Sequence, residues 1–409
     1  MAAAGDRPVV RVAILPPAPA AYREPLFDAL AAREDIELRV IYQSRAPASW
    51  ESAPGFFPTE HRYPSEHLRA RQRARPGRSP IVVPAGVEAA LRAFDPDCVI
   101  AVEYGVASLR ALAWCRRHRR GFVIFSDCTP LIDPLLSPGQ LALHRLLARH
   151  ADQMIVVSSA GRRRLEAFGV APERISFAPQ QGDLAPIRAA ARRGGPGGPD
   201  DPDGPDDPDG AGEPDGAGDS GVSGGPLVVA SAGRLVPDKN FAALIEATAR
   251  ADPGGERLAL RIAGTGFEEP ALRALATQRG ATVQFLGAVE PAAMGDFYAH
   301  AGAFALVSTF EPFGVVVREA VAAGLPIICT RRAGAAGDIA VEGRNAILVD
   351  PEDIDQITAA LGRLATDPEL RATLAAGSRE IDAAGEGADV AAFAAAAHAA
   401  AARRGRSPR

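Results

Sequence analysis

The sequence predicts an α/β protein with two doubly wound domains, on the basis of two observations. Short apolar segments alternate with stretches of helical character along most of the chain. A segment rich in Pro, Gly and Asp, at residues 191–226, divides this alternation into two halves. At 409 residues, the chain is long enough for two domains of ordinary size.

Each half contains a series of candidate strands. In the first half they are residues 9–15, 36–42, 98–103, 121–126 and 154–159. In the second half they are residues 227–233, 258–264, 283–287, 303–308, 326–329 and 346–350. Nearly continuous apolar runs indicate strands buried on both faces, as in parallel sheets. Alternation of such strands with helices therefore predicts two Rossmann-like domains facing across a cleft, with ligands at the carboxyl ends of the strands.

Composition sets the expected domain boundaries. Residues 191–226 have almost no apolar side chains, and we expect a disordered linker there because ordering it would bury little surface. We therefore expect an N-terminal domain over 1–190 and a C-terminal domain over 227–385. Residues 386–409 are rich in alanine and predict a final helix with Asp389 as its N-cap.

Charge and cysteine content narrow the class of protein. The formal net charge is −5, but residues 194–226 carry nine acidic and no basic side chains, so the rest of the chain has a net charge of +4. This mildly basic remainder suits a phosphate-bearing ligand or an anionic membrane surface. Four scattered cysteines and the absence of a long apolar run favour a cytoplasmic protein. Neither the cysteines nor the seven histidines have ligand spacing, so we expect no metal.

The most informative segment is STFEPFGVVVREAVAAGLPIICT, residues 308–330. A strand is followed by a loop containing Glu311 and Gly314, and a helix is expected from about Val315 to Ala323. The amides of Gly314 and Val315 would be donors at a helix N-terminus, which suits a phosphate or a sugar hydroxyl. E-P-F-G-x-x-x-x-E followed by A-x-A-x-G-x-P resembles the signature of family 4 retaining glycosyltransferases.

The resemblance implies a fold and residue roles. Its fold is the B-type fold of two Rossmann-like domains, the last helix of which returns to the N-terminal domain. In that family the first glutamate of the motif lies by the donor sugar, and the second binds the ribose hydroxyls. These positions correspond to Glu311 and Glu319, and the motif also places Phe313, Gly314 and Val315 at the donor.

A second motif is similar to another segment of the family. SAGRLVPDKNF, residues 231–241, resembles G-R-x-x-x-x-K-[NG], in which the two cations neutralise the donor diphosphate. The corresponding residues are Gly233, Arg234 and Lys239. Two fixed cations would stabilise the leaving diphosphate without a metal. The resemblance also places Gly264 at the donor, in a strand-to-helix turn, and residues 285–289 near the nucleobase.

The resemblance is specific over 227–365 and vaguer over 1–190. Many family members place a histidine after a late strand of the N-terminal domain, where this chain has FSDCTP with Asp127. Asp127 would orient a donor hydroxyl or deprotonate the acceptor, and a structural N-cap is the alternative. Glu103, at the end of the strand 98–103, is another candidate to contact substrate. The basic segment 61–78 is expected to be a loop that contacts a phosphorylated or lipid-linked acceptor or a membrane, or is simply solvated.

The sequence thus predicts a glycosyltransferase that moves a hexose-like sugar from a nucleoside-diphosphate sugar to an acceptor hydroxyl, and the resemblance implies retention of the anomeric configuration. The proposed catalytic residues are Glu311, Arg234, Lys239 and Asp127. No cofactor and no nucleic-acid partner are expected. An epimerase or phosphorylase on the same fold and a non-catalytic two-domain binding protein remain alternatives, because a fold alone does not decide function.

Overall fold

The structure is a computed structural model that describes residues 8–45, 58, 60–75, 78–180, 182–194 and 225–404. Most of the linker predicted at 191–226 lies outside the described residues. The chain divides into two compact units. The first comprises Met1–Asp183, Pro312–Val315 and Gly385–Arg409, and the second comprises Leu184–Glu311 and Val316–Ala384.

Strands and helices alternate through both units. The strands are β1 (Val10–Leu15), β2 (Ile36–Tyr42), β3 (Ser65–His67), β4 (Ala70–Arg75), β5 (Arg78–Pro84), β6 (Cys98–Val102), β7 (Gly121–Ser126), β8 (Gln153–Val156), β9 (Ile175–Phe177), β10 (Leu227–Ala232), β11 (Leu258–Ala263), β12 (Val283–Gly287), β13 (Ala303–Leu306), β14 (Ile327–Thr330) and β15 (Ala346–Val349). The helices are α1 (Glu24–Ala31), α2 (Val87–Phe94), α3 (Val106–His118), α4 (Pro138–His150), α5 (Ser159–Ala167), α6 (Ala185–Gly194), α7 (Phe241–Ala251), α8 (Glu269–Arg279), α9 (Met294–Ala299), α10 (Val315–Ala322), α11 (Ile354–Thr366), α12 (Pro368–Gly385) and α13 (Ala388–Ala402).

The main sheet of the first unit is parallel. Within the described residues its strand order is β3-β2-β1-β6-β7-β8-β9. Every residue of β6, β7 and β8 is buried, as the apolar runs predicted. The order reverses between β1 and β6, which places the ends of these strands at a switch point of the doubly wound sheet.

The second unit repeats this architecture. Its parallel sheet has the order β12-β11-β10-β13-β14-β15 within the described part of the chain. Its apolar core includes Leu244, Leu260 and Ile328, which lie on α7, β11 and β14. The strand order reverses between β10 and β13. The prediction of two doubly wound α/β domains is confirmed.

Two local predictions differ from the structure. The basic segment 61–78 was expected to be a loop, but it contains β3 and β4, and β4 pairs antiparallel with β5. Basic and small or amide residues alternate in β4 with the period of a strand, a pattern that its high charge obscured. The predicted N-cap Asp389 lies inside α13, which begins after Gly387 in the left-handed conformation (φ 70°).

Helix α13 packs on the sheet of the first unit, against β6, β7 and β8. Its ring contact joins Phe393 to Phe125, with centroids 4.9 Å apart. The helix is also held by the His398 ring, which lies 3.0 Å from an Asp35 carboxylate oxygen. Gly121 of β7 faces the helix so closely that an added Cβ would lie 2.7 Å from the carbonyl carbon of Ala400.

Helix α6 belongs to the second unit, although the N-terminal domain was expected to extend to residue 190. It packs on α9, and Arg188 of α6 donates to both carboxylate oxygens of Asp382 on α12, at 2.7 and 3.0 Å. Fully buried Arg318 of α10 lies 2.8 Å from the same carboxylate. Burial alone would raise the pKa of Asp382, but the bond from Arg188 and the charge of Arg318 lower it overall. This network ties α6, α10 and α12 together.

The contact between β7 and α13 leads to a stability prediction. Gly121→Ala is expected to lower the free energy of unfolding by about 1–3 kcal/mol, because the new methyl group overlaps the backbone of α13. Urea unfolding measures the change. Gly139→Ala is the matched control, because a Cβ there meets no described atom within 4 Å and alanine favours the helix α4. Equal stability of the two variants would contradict this packing.

Candidate functional site

The switch point of the second sheet brings together the segments that follow β10 and β13. The segment after β10 contains Gly233, Arg234 and Lys239, and the segment after β13 contains Glu311. Ligands of open parallel sheets bind at such points, beyond the carboxyl ends of the strands. The two sequence motifs therefore converge at one edge of one sheet.

Lys239 and Glu311 form the closest contact at this edge. The Lys239 Nζ atom donates to the Glu311 Oε2 atom over 2.5 Å, although 72 positions separate the two residues. The Thr309 amide donates to the Asp238 carbonyl at 2.9 Å. The Asn240 side chain donates to the carbonyls of Val307 and Pro351 at 3.2 and 2.8 Å. Backbone and side-chain bonds thus fix both loops around the ion pair.

Arg234 is an exposed residue in the bend that follows β10. Its neighbours are held to the adjacent strand and loop by backbone bonds. The Gly233 amide donates to the Ala263 carbonyl and the Leu235 amide donates to the Thr265 carbonyl, both over 2.9 Å. The loop that presents this cation is consequently fixed by the backbone on both sides.

Gly264 and Gly266 allow this loop to approach β11. A Cβ on Gly264 would lie 1.9 Å from the Gly233 carbonyl oxygen, and a Cβ on Gly266 would lie 2.2 Å from the Leu235 carbonyl oxygen. Gly264 also has φ 138°, which L side chains rarely adopt. The geometry gives both glycines a packing role, and contact of Gly264 with a ligand stays a prediction.

The EPFG motif leads into α10 as predicted. Phe313 is buried, Gly314 has φ 96°, and Val315 is the first residue of the helix. The positive φ of Gly314 lets the chain turn into α10 at a conformation that disfavours a side chain. The helix ends at Ala322, one residue before the predicted end.

Glu319 lies on α10 and is held by a residue that the sequence motifs did not indicate. The hydroxyl of fully buried Tyr298 on α9 donates to its Oε2 atom over 2.8 Å. Burial raises the pKa of the Glu319 carboxyl, and the bond from Tyr298 opposes this increase. Tyr298 falls in an ordinary amphipathic segment, so only the three-dimensional contact reveals its role.

A second group of polar residues lies at the carboxyl edge of the first sheet. Glu103 follows β6 and Asp127 follows β7, and these strands are neighbours. The Asp127 amide donates to Glu103 Oε1 at 2.9 Å, and the Ser126 hydroxyl donates to Oε2 at 2.8 Å. Glu103 has φ 64°, which is uncommon for a residue with a side chain. The structure thus brings together two residues singled out in the sequence.

Burial and the neighbouring Asp127 carboxylate raise the pKa of Glu103 to about 8. One ligand atom from each of Glu103, Asp127 and Cys128 lies within 4.8 Å of the others. Among the described residues, these three side chains are the cluster close enough to share a metal ion. Hydrogen bonds to Glu103 hold the group together without an ion. Because the same three side chains could also bind one, the expectation that the protein uses no metal stays a prediction.

Both halves of the chain match models of known families. Residues 217–381 match the family described as Glycosyl transferases group 1, and residues 17–180 match the Glycosyl transferase 4-like domain. The C-terminal half is a group 1 glycosyl transferase domain. The N-terminal half is a glycosyl transferase 4-like domain. Both site clusters described above fall within these matched ranges.

Curated relatives match part of the chain. A D-inositol 3-phosphate glycosyltransferase of Saccharomonospora viridis is 37% identical over 173 residues, which cover 39% of this chain and 39% of the relative. The lipopolysaccharide core biosynthesis glycosyltransferase LpsE of Rhizobium meliloti is 36% identical over 150 residues, covering 36% and 42%. The chain therefore spans about two fifths of the length of these curated relatives.

Solved structures extend the similarity to the whole fold. HepE of Anabaena, crystallised with UDP and glucose, has a TM-score of 0.65 at 19% identity and covers 93% of this chain and 96% of its own. The lipopolysaccharide-biosynthesis glycosyltransferase WaaG has a TM-score of 0.61 at 16% identity, covering 94% and 98%. The group 1 glycosyl transferase domain and its partner unit thus have the B-type glycosyltransferase fold.

The raised pKa of Glu103 leads to a prediction about pH. Because this pKa, about 8, exceeds the value of about 4.3 in an unfolded chain, the folded protein binds more protons between these values. The free energy of unfolding attributable to Glu103 therefore falls as pH rises from about 4.5 to 8. Glu103→Gln, which is always neutral, is expected to remove this fall in urea unfolding at pH 5, 6.5 and 8.

Glu88→Gln serves as the control for this measurement. The hydrogen bond from Arg110 lowers the pKa of Glu88, so its stabilising effect is already complete above the unfolded value. The control substitution is expected to shift stability by the same amount at all three pH values. Parallel pH profiles of the wild type and Glu103→Gln would show that Glu103 is ionised in the folded protein.

In the described residues, no helix combines the length and apolarity that a bilayer-spanning segment requires.

Proposed function

We propose that this protein transfers a sugar from a nucleoside-diphosphate sugar to an acceptor hydroxyl. The observation that carries this proposal is the contact between Lys239 and Glu311 at the switch point of the second sheet. A cation for the diphosphate and a carboxylate for the sugar are adjacent there, in a group 1 glycosyl transferase domain.

Arg234 and Lys239 are the proposed diphosphate ligands. Cleavage of the bond between the sugar and the diphosphate leaves negative charge on the diphosphate, and two fixed cations stabilise that charge in the transition state. The amides of Gly314 and Val315 add donors at the N-terminus of α10, where the helix dipole favours an anion. On this proposal the protein itself neutralises the leaving group, without a metal.

The two glutamates are proposed to position the rest of the donor. Glu319 would accept hydrogen bonds from the ribose hydroxyls, and the Tyr298 hydroxyl on Oε2 would fix the orientation of its carboxylate. Glu311 would lie at the sugar, where its negative charge favours the positive charge that develops at the anomeric carbon. Its side chain is largely buried but retains some exposure next to Lys239.

The proposed reaction retains the anomeric configuration of a hexose-like sugar. The acceptor oxygen forms a bond to the anomeric carbon on the face from which the diphosphate oxygen leaves, and the acceptor proton passes to the leaving phosphate. This scheme rests on the resemblance to family 4 enzymes. It requires no protein base, and Asp127 with Glu103 is then proposed to bind the acceptor through its hydroxyls.

The relatives suggest classes of donor and acceptor. HepE was crystallised with UDP-glucose, and a mannosyltransferase relative from Corynebacterium glutamicum is named as GDP-mannose-dependent. The acceptors implied by the relatives' names include an inositol phosphate and a lipopolysaccharide core. We therefore propose a saccharide, polyol or lipid-linked acceptor. The basic segment 61–78 would attract a phosphorylated acceptor or an anionic membrane.

Nucleotide binding is the first test. Thermal unfolding in the presence of UDP, GDP, ADP or dTDP and their sugars is expected to show stabilisation by one of these nucleotides. A ligand at 100 times its dissociation constant contributes about 2.7 kcal/mol. Arg234→Ala and Glu319→Gln are expected to abolish the shift, the second while keeping the acceptor for Tyr298.

Arg344→Ala is the control for these variants. It removes a guanidinium of the same unit from an exposed ion pair with Glu380, and such pairs contribute little to stability. It should show the same nucleotide-induced shift as the wild type. If millimolar nucleotides do not stabilise the folded wild type, the donor site is wrongly assigned, and a binding protein for other ligands becomes the better description.

Glu311→Gln tests the role of the carboxylate in the chemical step. With the donor identified, release of nucleoside diphosphate in the presence of water or a panel of hydroxyl acceptors measures turnover. Loss of the negative charge is expected to reduce kcat by about 100-fold or more, in the range found when a charge-stabilising group is removed. Donor affinity is measured in parallel. An unchanged kcat would exclude Glu311 from the reaction.

A further inference from the structure

Phe267 is an aromatic residue with an unusual degree of exposure. Its relative exposure is 75%, whereas the other exposed large hydrophobic residues of the described chain range from 36% to 54%. It lies in the turn between Gly266 and α8, beyond the carboxyl end of β11. Which part of a donor nucleotide this ring could contact depends on its distance from the proposed diphosphate ligands.

The backbone fixes Phe267 close to Arg234. The residue before Phe267 is Gly266, where an added Cβ would overlap the Leu235 carbonyl. The residue after it is Glu268, whose amide donates to that carbonyl at 3.2 Å. Leu235 directly follows Arg234. The residues on both sides of Phe267 therefore contact the residue next to the proposed diphosphate ligand, and the backbone that carries the ring is held beside that ligand.

Adjacent strands of the second sheet carry Phe267 and the two proposed diphosphate ligands. Phe267 follows β11, Arg234 and Lys239 follow β10, and Glu311 follows β13, and these three strands are adjacent in that order. Neighbouring strands lie about 4.8 Å apart, so the carboxyl ends of β11 and β13 are separated by roughly 10 Å. A base at Phe267 next to a diphosphate at Arg234 and Lys239 fits this arrangement.

The other aromatic residue near this end is less accessible. Phe285 of β12 was singled out by the resemblance as close to the nucleobase, but it is only partly exposed. The Arg273 guanidinium lies over its ring, 4.7 Å from the centroid. One face of Phe285 is therefore already occupied by a cation, whereas the ring of Phe267 has most of its surface in solvent.

We propose that Phe267 is the residue on which the base of the donor nucleotide stacks. This inference rests on the proposed function and identifies the base-binding end of the same site. Stacking between an aromatic side chain and a base contributes about 1–3 kcal/mol and is tolerant of base identity, because every base has a π face. Phe267 would thus provide affinity for the nucleoside and leave the choice of base to other groups.

The test compares nucleotide and pyrophosphate binding in matched variants. Calorimetry measures the affinity of the wild type, Phe267→Ala, Phe267→Trp and Arg234→Ala for UDP, GDP, ADP and dTDP, and competition measures their affinity for inorganic pyrophosphate. Leu135→Ala, which truncates a 54% exposed leucine in the first unit, controls for loss of exposed apolar surface. The melting temperature of each free variant confirms folding.

Phe267→Ala is expected to weaken the preferred nucleoside diphosphate by about 5- to 150-fold and to leave pyrophosphate affinity within two-fold. Phe267→Trp and Leu135→Ala should bind like the wild type, and Arg234→Ala should lose both ligands. If Phe267→Ala binds the nucleotide within two-fold of the wild type while Arg234→Ala does not bind it, the stacking role is wrong and the proposed function stands. If the wild type binds no nucleotide at millimolar concentration, the proposed function fails, and the stacking role fails with it.

Discussion

The ion pair between Lys239 and Glu311 joins two loops that are distant in sequence, and the arrangement of the candidate site depends on it. Both side chains are largely removed from water, and each has the other as an oppositely charged partner. Loss of either partner would leave a costly unpaired charge at the edge of the sheet. On the proposed function, a phosphate group of the donor would neutralise Lys239 and release Glu311 for a second contact. The same pair would then hold the two loops together and also respond to the donor.

Much of the fold follows directly from the sequence. Strands buried on both faces are apolar at nearly every position, and this property identified every strand of the second sheet to within about two residues. The helix after the EPFG motif begins at Val315 because Gly314 provides the turn before it. Gly324, which also has a positive φ, follows the end of the helix. These features depend on neighbouring residues, which a linear pattern records.

The contacts between distant segments could not be predicted in this way. Nothing near Glu319 indicates that Tyr298 will bond to it, since the two meet only when α9 and α10 pack together. The bridge from Arg188 through Asp382 to Arg318 spans three helices and places a charged side chain in the core. Its residues look like ordinary surface charges in the sequence. Such networks form only when tertiary packing brings the helices together. The free-energy cost of burying a charge is offset only when all of its partners are in place.

The close backbone contact of Gly264 with Gly233, and of Gly266 with Leu235, has a consequence for protein engineering. The two loops touch through main-chain atoms, so neither can be lengthened or given side chains at these glycines without displacing the other. Grafting a loop that has a side chain at one of these glycines would displace the other loop. Successful exchange requires both loops to be transplanted as one cassette, whereas side chains that project from the cassette can be varied independently.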